Sequence, residues 1–167
     1  MGGLFMVFVV LGSQKFQFNR LLEEVDKLVD QGIITEEIET QVGASTYKPR
    51  NYNAVDFYSR EDFRNLLKKS NIVITHGGSS SIISAISLGK KVIAVPRLAK
   101  FGEHVDDHQE QLIQAFTDKG YIEGCLIMEN LGEAYKKCLE KTYNKFESNT
   151  DNFLEVISTW LMKEFNK

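Results

Sequence analysis

The sequence predicts an α/β domain with a doubly wound parallel sheet, a Rossmann-like layout. Three observations predict it. Short, wholly apolar runs of strand length recur along the chain, each closed by a turn residue. Amphipathic stretches of helical period lie between them. The length, 167 residues, suits one domain over 1–167 that buries a core without disulfide or metal staples. Strands alternating with helices give βαβ units, and right-handed crossovers place helices on both faces of the sheet.

Taken in order, Leu4–Leu11 is apolar throughout and reads as a strand buried on both faces, closed by Gly12. It is far too short to span a bilayer, and no Lys or Arg precedes it as a secretory leader would require. Phe18, Leu21, Leu22, Val25 and Leu28 then repeat with a helical period that ends near Gly32. Residues 37–42 and 54–57 read as short strands. Ser59 and Asp62 form an acidic capping box that opens a helix through Leu67. Ile72–Thr75 is a buried strand, followed by a helix over 80–88 with Gly89 just past its end. Val92–Val95 is a strand stopped by Pro96, and Asp106 or Asp107 caps a helix to about Asp118. Cys125–Ile127 is expected as a last strand, with helices at about 130–141 and 151–164.

Composition excludes several classes. Apolar residues make up 43% and charged residues 26%, so the chain is neither disordered nor fibrous. The net charge of -3 argues against a nucleic-acid partner, which favours a basic domain. Cys125 and Cys138 form no disulfide framework and have no metal-ligand spacing.

Ligands of open parallel sheets sit beyond the carboxyl ends of the strands. The segment after Thr75 reads His76-Gly77-Gly78-Ser79-Ser80-Ser81 and enters a helix. Glycines permit close backbone approach, and a helix start presents free N–H groups to an anion. The residues alone fit a phosphate cradle or a tight βα turn with serine caps. No Gly-Lys-Ser/Thr follows, so it is not a Walker loop, and the first turn, Gly12-Ser13-Gln14, is not a dinucleotide fingerprint. The loop after Val95 carries Pro96, Arg97, Glu103, His104, Asp107, His108 and Gln109. It brings polar groups of sugar-binding type to the same sheet edge. His104 and His108 have a zinc-compatible spacing, but His104 falls in the loop and no third ligand is spaced for it, so no metal is expected.

Three segments in order carry a resemblance over about residues 5–128. They are Ile74 to Ile82, Leu88 to Arg97, and Phe101 to Gln109, with the opening Val7 to Phe16 in support. The chain resembles the donor-binding half of a GT-B glycosyltransferase, equivalent to the C-terminal half of that fold. It is most similar to the small subunits of bipartite transferases. These are the bacterial capsule and exopolysaccharide subunits, into which Phe18 to Leu22 also fits, and the subunit of the dolichol-linked GlcNAc transferase. It is also similar to the C-terminal domain of the lipid II GlcNAc transferase. The resemblance implies that Gly77, Gly78, Ser79 and Ser80, with His76 beside them, hold the diphosphate of a UDP-sugar. It implies that Gly12, Ser13 and Gln14 close the phosphate side, and that Pro96 and Arg97 border the base. Glu103, His104, Asp107, His108 and Gln109 would line the sugar, Gln109 being the best candidate for its hydroxyls. Relatives usually carry Glu where this chain has Ser84, which weakens the expected grip on the ribose.

The implied reaction transfers a hexose or N-acetylhexosamine from UDP to a lipid-linked saccharide acceptor, with inversion and without metal or other cofactor. A membrane-anchored partner subunit would hold the acceptor, placing the chain at the cytoplasmic, inner face of the membrane. The general base commonly comes from the acceptor lobe, so within this chain only His104, beside Glu103, is a candidate. Two other readings compete. One is a non-catalytic nucleotide-binding regulatory module. The other is a fragment of a UDP-sugar epimerase or hydrolase, enzymes of about twice this length. The apolar stripe of Phe153, Leu154, Val156, Ile157, Trp160, Leu161 and Phe165 is expected either to pack on the domain itself or to dock on the partner.

Overall fold

A computed structural model of the chain describes residues 4–147. Six parallel strands form one sheet in the order β3-β2-β1-β4-β5-β6. The strands are β1 (Met6–Val10), β2 (Glu37–Gln41), β3 (Asn53–Val55), β4 (Ile72–His76), β5 (Lys91–Val95) and β6 (Glu123–Gly124). The helices are α1 (Asn19–Asp30), α2 (Arg60–Lys69), α3 (Ser79–Ser87), α4 (His108–Asp118) and α5 (Leu131–Glu140). This is the expected doubly wound layout. Sequence order reverses between β1 and β4, where Val10 pairs with Thr75.

Burial on both faces explains the unbroken apolar runs. Within β1, Val7 and Val9 enter one core with Leu21, Leu22 and Val25 of α1 and Leu131 and Tyr135 of α5. Phe8 and Val10 point the other way, into a core with Leu67 of α2, Ile82 and Ala85 of α3, and Ile113 and Phe116 of α4. Ser59 accepts the Asp62 N–H at 3.0 Å, as a capping box requires, and Gly89 ends α3 at a φ of +70°.

Two elements differ from expectation. The last strand is Glu123–Gly124 rather than Cys125–Ile127. The Cys125 N–H still reaches Ala94 O at 2.9 Å, but Leu126 and Ile127 then turn outward to solvent. Apolar character there marks an exit from the sheet edge rather than a buried strand. β2 and β3 pair in parallel without a helix between them. Their connection is instead pinned by Asp26, a buried carboxylate of α1 that accepts from Tyr47 Oη at 2.7 Å and from the N–H groups of Arg50 and Asn51. Burial alone would push the Asp26 carboxyl up, but these donors hold it below its ordinary range. The helix expected over 151–164 lies outside the described residues.

Candidate functional site

The reversal of strand order brings together the turns that follow β1 and β4. Gly12 follows β1 with a φ of +77°, a conformation suited to glycine. A Cβ on Gly12 would stand 2.6 Å from His76 Nε2, and one on Gly78 would stand 2.1 Å from His76 Cε1. The imidazole therefore fills the space that side chains at both glycines would need.

The hydrogen bonds around this ring fix its tautomer. His76 Nδ1 accepts the Gly78 N–H at 3.0 Å and faces Gln109 Nε2 at 3.3 Å. The proton of the neutral ring then belongs on Nε2. That atom is buried and has no hydrogen-bond partner among the described residues. Burial, then the nearby charges of Arg97 and His104, push the His76 pKa down to about 3, so the ring is neutral at physiological pH. The site thus holds a fixed, uncharged N–H donor. Beside it α3 starts at Ser79, after Gly78, and among the described residues no side chain caps its first turn. Its free N–H groups and positive dipole end favour an anion.

Beneath these turns three side chains lock the loops. Gln109 Oε1 accepts the N–H groups of Gly77 and Arg97, each at 3.0 Å, which joins the ends of β4 and β5 to α4. Arg97 is buried and donates to the carbonyls of Phe16, Gln17 and Glu103, with a further bond to Leu11 O. Burial lowers its pKa to about 10, against the opposing pull of Glu103, and the guanidinium stays charged. Glu103 is also buried. It takes Arg20 Nε and Nη2 at 2.9 and 3.0 Å and the Leu98 N–H at 2.9 Å. Pro96 is buried, and its carbonyl accepts from Arg20 Nη2 at 3.3 Å.

Above them lies a histidine pair. His104 Nδ1 is 3.1 Å from Asp106 Oδ1, and His108 Nδ1 is 2.7 Å from Asp106 Oδ2. Asp107 caps elsewhere, accepting the Ala99 N–H at 2.8 Å. Ser13, Gln14, Ser80 and Asp107 sit on the exposed rim, Ser79 is half-buried, and Ser84 is exposed on α3. The structure gathers Gly12, His76, Gly77, Gly78 and Gln109 into contact. It turns Arg97 and Glu103 inward, onto backbone carbonyls and Arg20. Among the described residues no group of three or more His, Cys, Asp or Glu is arranged to hold a metal ion.

The sequence reading missed Arg20 and Asp106. Arg20 lies inside the apolar repeat of α1, and such a charge needs a partner. In the sequence Asp106 reads as a helix cap, although it stands two residues from each histidine.

A parallel sheet with reversed strand order and an anion-suited turn at the reversal defines a doubly wound, Rossmann-like α/β domain. The chain belongs to glycosyltransferase family 28, whose C-terminal domain profile matches residues 6–160. No curated protein sequence matches the chain. Solved structures share the fold. The solution structure of ALG13 is 18% identical with a TM-score of 0.62, covering 91% of this chain and 94% of that one. The glycotransferase of kitacinnamycin is 14% identical with a TM-score of 0.61, over 93% of this chain and 38% of that one. MurG of Acinetobacter baumannii is 18% identical with a TM-score of 0.54, over 79% and 41%. The chain therefore spans well under half the length of the last two. Among the described residues no helix is long and apolar enough to cross a membrane.

Proposed function

We propose that the chain binds a UDP-sugar at the turns after β1 and β4 and donates the sugar to a hydroxyl of a lipid-linked saccharide. The observation that carries this reading is the buried, unpartnered Nε2 of His76, a neutral donor beside the uncapped start of α3. Both features suit a diphosphate oxygen. As the sugar leaves, negative charge grows on the diphosphate, and donors already held in place stabilise it without reorganising. Gly12 and Gly78 leave the room that the imidazole occupies. Gln109, Arg97 and Glu103 hold the surrounding loops, and the rim residues Ser13, Gln14, Ser79, Ser80, Asp107 and His108 face the donor. His104 accepts the proton of the attacking hydroxyl, and the transfer inverts the anomeric centre without a metal. A membrane-anchored subunit presents the acceptor at the cytoplasmic face.

Calorimetric titration with UDP tests the reading. Micromolar binding by the wild type and loss of at least tenfold in His76→Ala are expected. Equal affinity in a folded His76→Ala variant would overturn it. Co-expression with the membrane subunit is expected to move the chain to the membrane fraction and raise transfer to a lipid-linked acceptor. Full transfer by the purified chain alone would refute the need for a partner.

A further inference from the structure

We propose that Asp106 is a positioning residue for sugar transfer: its two carboxylate oxygens hold His104 and His108 with Nδ1 protonated, so that His104 Nε2 can take the proton of the attacking hydroxyl. The proposal rests on the glycosyltransferase reading above and deepens it.

The geometry is that of one carboxylate shared by two imidazoles, one oxygen to each, at 3.1 Å to His104 and 2.7 Å to His108. An ionised carboxylate only accepts, so each Nδ1 must be the donor. The Asp106 N–H also faces His104 Nδ1, but at 3.4 Å, a longer contact than the one to the carboxylate. With Nδ1 protonated, the neutral ring keeps its lone pair on Nε2, the atom a general base needs. His104 is held from a second side by Phe16, ring centroids 5.5 Å apart. It lies in the loop after β5, at the same sheet edge as His76 at the end of β4. Asp106 also accepts the His108 N–H at 3.1 Å, at the start of α4. The carboxylate is therefore fixed by the helix it caps.

In the step assigned here the hydroxyl oxygen of the acceptor forms a bond to the anomeric carbon with its lone pair. The bond from that carbon to the diphosphate oxygen breaks, and its electron pair leaves with UDP. The hydroxyl proton passes to His104 Nε2, and Asp106 faces the imidazolium that results. Charged groups of the surrounding loops include Lys15, 5.9 Å from the Phe16 ring, the buried Arg97, the Arg20–Glu103 pair and Asp107.

Asparagine caps helices about as well as aspartate, so Asp106→Asn removes the charge and keeps the cap. Nitrogen-detected NMR of the full chain, titrated from acid to alkaline pH, reads both imidazoles directly. The wild type is expected to show the Nδ1–H tautomer at His104 and His108. Asp106→Asn is expected to move both rings toward the Nε2–H form. Asp106→Ser, a second capping residue without charge, should do the same, and Asp106→Glu should restore part of the shift. In sugar transfer with the partner present, Asp106→Asn should lower kcat about 100-fold with the donor KM nearly unchanged. Unchanged tautomers in folded Asp106→Asn, or a loss confined to KM, would overturn the proposal. The wild-type UDP titration separates the two readings. Failure to bind UDP overturns the donor site, whereas UDP binding with unmoved imidazoles overturns the role of Asp106.

Discussion

Arg20 and Glu103, 83 residues apart, form a two-pronged ion pair in which the carboxylate is only 1% exposed. The pair ties the first turn of α1 to the loop after β5. Among the described residues, removing Arg20 leaves the buried carboxylate with the Leu98 N–H as its remaining hydrogen-bond donor. Arg20→Ala is expected to destabilise the fold by about 3 kcal/mol. Urea denaturation would measure it, and Arg20→Ala with Glu103→Gln together should cost less than the single change. A double variant as unstable as Arg20→Ala would show that the uncompensated charge is not the cause.

His76 makes stability depend on pH. Its folded pKa, about 3, lies below the ordinary 6.5. Above pH 6.5 neither folded nor unfolded chain protonates it. As pH falls below 6.5 the unfolded chain gains a proton that the folded chain refuses, so stability falls until about pH 3. Between pH 6 and 4, His76→Gln should show a slope shallower by about 1 kcal/mol per pH unit. Thermal melts of both proteins across that range check it, and parallel slopes would contradict the neutral buried ring.

Gln109 is expected to matter for folding as well as for binding. Gln109→Ala strands the N–H groups of Gly77 and Arg97, both buried. Two unmade bonds cost about 2–4 kcal/mol in total. Gln109→Glu keeps an acceptor oxygen and should retain more stability than the alanine variant. If Gln109→Ala melts like the wild type, the side chain serves the ligand alone.

Ser84 stands exposed on α3, at the position where the family resemblance implies a carboxylate. Ser84→Glu is expected to tighten UDP binding by about 1–2 kcal/mol, the scale of a charge-assisted hydrogen bond to ribose. Calorimetry decides it, and weaker binding would mean that the ribose lies elsewhere.

The strands of the sheet centre were legible because both faces are covered. Val7–Val10, Ile72–Ile74 and Val92–Val95 are apolar without interruption, and Gly12, Gly77 and Pro96 beyond them are local signals. The turn of Gly77 and Gly78 was legible for the same reason. What lay beyond reach were pairings between distant residues. Asp26 takes the place of a helix between β2 and β3 by holding Tyr47, Arg50 and Asn51, and no period along the chain announces that. Arg97 and Glu103 read as ligand-facing polar residues, yet the structure spends them on backbone carbonyls and on Arg20. The short β6 misled because Leu126 and Ile127 are apolar but exposed.

The pairing of β1 with β4 also has a kinetic consequence. Thr75 Oγ1 donates to Val10 O across 65 positions of the chain. Gly12 and His76, the two sides of the site, come together only once that long loop has closed, and closing it costs entropy before any contact rewards it. α1 and the β2–β3 connection can gather earlier through Asp26, whose partners are 21 to 25 positions away. The candidate site is thus expected among the late products of folding. Recovery of ligand affinity during refolding should lag behind recovery of helix signal, and so report completed topology rather than collapse.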